Sequence, residues 1–135
     1  MRIFFIILSV SFLLVSYSGY SQTTEEYYNR GIKKCNNADY LGAISDFTIV
    51  IKNYPKLAGA YYNRGIAKRR LDDLSGAISD FTIAINIDPK DAEFYYNRGE
   101  AKFQKGQKES GCLDLSLAAE LGSVDASEAK KKYCQ

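Results

Sequence analysis

The chain has 135 residues, enough for one ordinary domain, and its 46% hydrophobic and 25% charged content is the balance of a folded protein rather than a disordered one. Lys and Arg number 18 against 16 Asp and Glu, and a net charge of +2 leaves no electrostatic footprint for nucleic acid or an anionic membrane. The chain has no His, which removes His-based general-base and nucleophile systems and most zinc sites, and its 2 Pro suit a mostly helical chain.

The chain opens with Arg2, an apolar run from Ile3 to Val15 broken only by Ser9 and Ser11, and a small polar stretch from Ser16 to Ser21. This order predicts a secretory signal peptide over residues 1–21, cleaved before Gln22. A retained anchor is the competing reading, but the apolar run of about 13 residues falls short of the roughly 20 that span a bilayer. Cys35 is the first cysteine and lies far from the cleavage region, which argues against a lipoprotein. The asparagines form no Asn-x-Ser/Thr sequon. The expectation is therefore an exported bacterial protein, periplasmic or secreted, with no membrane attachment after cleavage.

From Thr24 onward one unit is written three times. Tyr27-Tyr28-Asn29-Arg30-Gly31 returns as Tyr61-Tyr62-Asn63-Arg64-Gly65 and as Tyr95-Tyr96-Asn97-Arg98-Gly99, 34 residues apart each time. The block from Gly42 to Ile49 returns unchanged from Gly76 to Ile83, and Pro55-Lys56 returns as Pro89-Lys90. The units are 24–57, 58–91 and 92–125. Such a period marks a stack of supersecondary units, none of which buries its apolar face alone. Gly31 and Ala43 are small where two antiparallel helices cross, while Tyr27, Phe47, Ile44 and Ile51 fill the space between them. Each unit is then a helical hairpin with its turn near Asp39 or Asp73. Pro55 and Pro89 end the second helix of the first two units. Gly122 ends the third pair, and a seventh helix over about 124–134 packs Val124, Ala129 and Tyr133 back on the stack. Lys130, Lys131 and Lys132 face water, the expected character of a solenoid cap.

The pattern resembles the tetratricopeptide repeat. Counting 34 positions from Ala58, the family's fourth, eighth, twentieth, twenty-fourth, twenty-seventh and thirty-second positions hold Tyr61, Gly65, Ala77, Phe81, Ala84 and Pro89. The first unit has Tyr27, Gly31, Ala43, Phe47, Val50 and Pro55 there. The third keeps Tyr95, Gly99 and Ala118 but departs with Gly111, Leu115 and Ser123. The resemblance covers 24–125 and implies an all-α fold: an α-solenoid of three hairpins in a short right-handed superhelix, closed by the capping helix.

Charged residues and cysteines recur at informative places. Arg30, Arg64 and Arg98 stand at the seventh position, and Asp46, Asp80 and Asp114 at the twenty-third, sixteen residues later in every unit. A hairpin turning near the fifteenth position sets the two at one level, which predicts an Arg–Asp pair in each unit. The alternative is a charged ligand site. Cys112 and Cys134 have residue 123 as their midpoint, beside the Gly122 turn, so two helices folded there bring the thiols together. In an oxidising compartment this predicts a Cys112–Cys134 disulfide; two buried thiols are the alternative. Cys35 is left as a core residue, a reactive thiol or an intermolecular link.

The sequence carries no phosphate loop, CxxC, HExxH or nucleophile elbow, so no catalytic residues, metal or cofactor are expected. The resemblance implies a non-catalytic module that binds a peptide or protein; the alternative is a structural protein that forms homo-oligomers through its solenoid ends. In this family the first helix of each hairpin lines the concave face. The exposed fifth and sixth positions are Tyr28 and Asn29, Tyr62 and Asn63, and Tyr96 and Asn97. The Asn ladder resembles that of the repeat arm of O-GlcNAc transferase, where such asparagines meet a peptide backbone. Arg69 and Arg70, at positions twelve and thirteen, favour an acidic segment or a C-terminal carboxylate. The family's carboxylate clamp, Lys and Asn at positions five and nine of the first unit, is absent: Tyr28 and Ile32 stand there, which argues against a chaperone-tail receptor. The competing reading packs the tyrosines between repeats and bonds the asparagines across helices.

Overall fold

Seven helices follow one another along the chain: α1 (Thr24–Asn36), α2 (Tyr40–Asn53), α3 (Ala58–Arg70), α4 (Leu74–Ile87), α5 (Ala92–Gln104), α6 (Lys108–Glu120) and α7 (Val124–Tyr133). They come from a computed structural model that describes residues 22–135. The signal peptide expected over 1–21 lies outside the described residues. Each helix packs on the next in sequence, and α1, α3 and α5 also touch in order, so the odd-numbered helices share one face of an all-α stack. Among the described residues there is no β-strand.

Local chemistry starts and stops these helices. Thr23 and Glu26 form a reciprocal capping box on α1, and the carboxylates of Asp39 and Asp73 accept from the amides of Gly42 and Gly76 at the starts of α2 and α4. Within each hairpin the turn runs through a left-handed residue at the fifteenth position of the repeat: Ala38 (φ 59°), Asp72 (φ 64°) and Gly106 (φ 84°). The following amides of Asp39, Asp73 and Gln107 reach back to the carbonyls of Lys34, Lys68 and Lys102. These are Schellman ends, for which glycine is the residue of least steric cost. Only the third repeat uses it. Gly122 (φ 99°) closes α6 in the same way, with Ser123 donating to the carbonyl of Ala118.

The core is a chain of small clusters between successive helices. Phe47 lies fully buried with Ala43 and Ala67, and Phe81 with Ala77 and Ala101. Glycine at the eighth position of the repeat is a steric requirement here. A Cβ on Gly31 falls 2.8 Å from the Phe47 ring, and one on Gly65 falls 2.7 Å from the Phe81 ring. The third repeat reaches the same density with different parts. Leu115 replaces the phenylalanine, and the ring comes from Phe103, which lies 2.8 Å from where a Gly111 Cβ would stand. The departures Gly111 and Leu115 therefore compensate one another through Phe103.

Helix α7 caps the end of the stack. Ala126 and Ala129 are buried against Leu115 and Ala118, and the Tyr133 ring meets Phe103 at 5.7 Å between centroids. Cys134, just past α7, is joined to Cys112 of α6 with 5.7 Å between the two Cα atoms.

Candidate functional site

The first and second helices of each hairpin are tied by a repeated ion cluster. The Nε and Nη2 of Arg30 donate to the two oxygens of Asp46 at 2.8 and 2.6 Å; Arg64 does so to Asp80 at 2.9 and 2.8 Å, and Arg98 to Asp114 at 2.8 and 2.7 Å. These are forked guanidinium–carboxylate bonds, the geometry that lets Arg hold a buried carboxylate. A lysine completes each cluster: Lys34, Lys68 and Lys102 place Nζ at 3.0, 3.0 and 2.8 Å from the same carboxylates. These lysines are not among the residues expected from the sequence, although they recur with the 34-residue period. Each stands four residues after its Arg, one turn along the same helix face. Asp46 and Asp80 are each only 2% exposed. The Arg30 bond holds the Asp46 carboxyl below the usual carboxylate range, with Lys34 adding to it. With their oxygens engaged inside the hairpin, these clusters are struts of the fold rather than a ligand site. They also join repeats: the Nη1 of Arg64 donates to Thr48 and that of Arg98 to Thr82, each at 3.2 Å, and Gln22 takes the corresponding place for Arg30.

The face shared by α1, α3 and α5 carries the Tyr and Asn ladders. The structure couples them across repeats. The Nδ2 of Asn63 donates to the Tyr28 hydroxyl at 2.9 Å, and that of Asn97 to the Tyr62 hydroxyl at 3.1 Å. Asn97 is 6% exposed, and it also donates to the carbonyl of Glu93 and accepts from Arg69. This corrects the expectation that Asn97 lies open in the groove: its amide serves the stack. Tyr62 is likewise committed, its ring packed between Phe81 and Phe94 at centroid distances of 5.9 and 5.0 Å. The ends of the two ladders differ. Asn29 is exposed, and Tyr96 sits half-buried beside the α7 cluster.

Burial, with the nearby charges of Glu93 and Asp91, pushes the Tyr62 phenol up to about 12. A phenol raised in the folded state binds its proton more tightly there than in the unfolded chain, so stability falls as pH rises above the ordinary value of about 10. Ultraviolet titration is expected to show late ionisation at Tyr62, with Tyr96 also raised by burial, and Tyr62→Phe is expected to reduce the late step at a cost of about 1 kcal/mol for the lost bond from Asn97. Early, uniform tyrosine ionisation in the folded protein contradicts this.

Arg69 differs from the three arginines at the seventh position of the repeat, Arg30, Arg64 and Arg98. It has no carboxylate partner; its Nη2 donates to Asn97 Oδ1 at 3.3 Å, and its buried Nε has no acceptor among the described residues. Arg70 beside it is exposed. Cys35 and Phe103 occupy the corresponding places in the neighbouring repeats, so one cationic step interrupts an otherwise apolar row. Cys35 packs against the Phe47 cluster, and burial raises its thiol.

Elsewhere an open cleft of about 970 Å³ lies where α1, α2 and the α2–α3 loop meet, walled by Tyr28, Val50, Asn53, Tyr54 and Leu57. Among the described residues no three metal-ligating side chains come together.

A TPR repeat family model matches residues 67–106. The first TPR of Spaghetti (RPAP3), solved bound to the HSP90 peptide SRMEEVD, superposes with a TM-score of 0.80 at 26% identity, covering 85% of this chain and 93% of that one. This chain carries a TPR repeat over residues 67–106 and has the all-α stacked fold of TPR domains. The TPR domain of Arabidopsis OM64 is similar at a TM-score of 0.78 and 26% identity, over 82% of this chain and 93% of that one. MamA from Desulfovibrio magneticus matches this repeat protein at 0.75 and 25% identity, over 80% of this chain and 62% of the other. No curated protein sequence matches it.

Proposed function

We propose that this protein is a non-catalytic adaptor that holds an acidic peptide segment of a partner protein on the face of α1, α3 and α5. The observation that carries the reading is Arg69, whose half-buried guanidinium stands on this face with its Nε unaccepted and Arg70 exposed next to it. The arginines at the seventh position, Arg30, Arg64 and Arg98, are each engaged by the aspartate of their own hairpin. A guanidinium without a carboxylate, in a site of reduced solvent access, favours an anionic group from outside the chain. The exposed Asn29 adds a side chain able to donate to and accept from a peptide backbone. The related TPR of Spaghetti holds a peptide with two Glu and one Asp, which agrees in charge. The clamp residues of chaperone-tail receptors are replaced here by Tyr28 and Ile32, so the partner sequence is this protein's own.

Export completes the proposal: Arg2, the Ile3–Val15 run and the small residues to Ser21 support cleavage before Gln22 and delivery to a bacterial envelope or medium. Self-assembly through solenoid ends is the competing reading. The exposed charges of α7, among them Asp125, Glu128 and Lys130, argue against it at the C-terminal end.

Panning the folded protein against a random twelve-residue peptide library tests the adaptor reading. Acidic sequences are expected to be enriched, and Arg69→Ala with Arg70→Ala is expected to weaken the selected peptides at least tenfold, about 1.4 kcal/mol, with the helical fold retained by circular dichroism. Selected peptides with no acidic bias, or affinity indifferent to both arginines, overturn it.

A further inference from the structure

Gln22 is the first residue left by the proposed cleavage, and its side chain has a defined seat. Its Oε1 accepts from the Nη1 of Arg30. In the next two hairpins that guanidinium nitrogen donates to a threonine hydroxyl of the preceding repeat, Thr48 or Thr82. The repeats begin at Thr24, so the first hairpin has no such hydroxyl, and the side-chain carbonyl of Gln22 takes its place. The residue that follows is fixed as well. The Thr23 amide donates to Glu26 Oε2 at 2.9 Å, and the Thr23 hydroxyl accepts from the Glu26 amide at 3.2 Å. Gln22 itself is exposed, so its nitrogens meet water while its Oε1 meets Arg30.

Cleavage before Gln22 turns its backbone nitrogen into a primary amine. The ordinary α-amino pKa of about 7.7–8.0 leaves a share of that amine neutral near neutral pH. The amine and the side-chain Cδ belong to one residue, so attack of one on the other is intramolecular and gains in effective concentration. The amine lone pair forms a bond to Cδ. The Cδ–Nε2 bond breaks, and Nε2 leaves as ammonia with the proton that the amine gives up. The product is a pyroglutamate lactam; nothing is oxidised or reduced, and no co-reactant is consumed. Negative charge develops on Oε1 in the tetrahedral intermediate, the atom to which Arg30 donates. After closure the same oxygen is the lactam carbonyl and remains an acceptor for Nη1. Charge favours closure too. A protonated amine on residue 22 would bring a third cation to Arg30 and Lys34, which already share the Asp46 carboxylate. The lactam is neutral.

We propose that the mature chain begins with pyroglutamate at position 22, its lactam oxygen seated on Arg30. This rests on the export reading with cleavage before Gln22, and adds to it a modification of the new N-terminus. The ring leaves no free amine for an aminopeptidase, and it ties the start of α1 to the Arg30–Asp46 strut.

Expressing the full chain with its own leader in a Gram-negative host, and taking the exported product to mass spectrometry, tests the proposal. The N-terminal peptide is expected to start at residue 22, to be lighter than its sequence by one ammonia, and to resist Edman degradation. Pyroglutamyl aminopeptidase is expected to release the ring roughly tenfold faster from the denatured, reduced chain than from the folded protein, because Arg30 holds the lactam only in the fold. Arg30→Lys keeps a cation for Asp46 but withdraws the Nη1 donor, and is expected to lose that protection. An open Gln22 at the N-terminus overturns the ring and leaves the export reading standing. A first residue other than 22 overturns the cleavage and the ring with it. Equal release from folded and denatured protein, or protection that survives Arg30→Lys, overturns the seat on Arg30.

Discussion

Replacing Asp80 with Ala is expected to destabilise the protein by about 3 kcal/mol, a fall in Tm of roughly 10 °C for a domain of this size. Asp80 is 2% exposed and takes two bonds from Arg64 and one from Lys68. Their side chains are only 16% and 20% exposed, so without the carboxylate two positive charges face each other with little water to screen them. The value sits at the low end for a broken buried pair because both cations keep a path to solvent. The loss is also not confined to one hairpin. Arg64 bonds Thr48 of the preceding repeat, and in a stack whose stability is a sum of units and interfaces, a loosened Arg64 weakens both. A double-mutant cycle on Arg64 and Asp80, read by thermal melting, measures the coupling. A cycle that closes with no interaction energy rejects the strut.

Opening the Cys112–Cys134 bridge is expected to cost about 3 kcal/mol, from the chain entropy regained when the 22-residue separation is no longer closed. The effect should concentrate in α7. That helix buries only Ala126 and Ala129, two of the smallest apolar side chains, and its other apolar contact is the Tyr133 ring on Phe103. Such a footprint holds a ten-residue helix weakly, because short helices depend on packing rather than propensity. With Cys134→Ser, amide exchange in α7 should accelerate far more than in α3 or α4, and the melting temperature should fall. The reductant-treated wild type should behave the same. Equal α7 protection in the two proteins would show that the bridge contributes nothing to the cap.

Much of the candidate site is legible in the amino-acid sequence, and the reason is periodicity. Arg30 and Asp46 recur sixteen apart in every repeat, and a hairpin allows residues at that separation little choice but to meet. The lysines at 34, 68 and 102 are equally legible, since a residue one turn from an arginine on the same helix shares its partner. The Tyr and Asn ladders are not. Positions five and six of the repeat lie on the flank between the groove and the next helix, and a helical wheel gives the same angle whether the side chain points to a ligand or to a neighbour. Asn97 goes to the neighbour because Tyr62 offers a hydroxyl within 3.1 Å and burial demands a partner for the amide.

By itself, then, the sequence determined the unit and the count: a helical hairpin repeated three times, a closing helix, one ion pair per hairpin and the pairing of Cys112 with Cys134. All of these follow from spacing along one chain, because the geometry of a single helix or a single turn converts spacing into position. The tertiary structure alone decided what happens between units. It spent Tyr62 and Asn97 on the stack, left the Arg69 guanidinium without a carboxylate, and let Phe103 fill the space left by Leu115. Those outcomes depend on how the side chains of two adjacent repeats fill one volume and satisfy one another's polar groups. A repeat pattern, which treats its units as equivalent, does not contain that information.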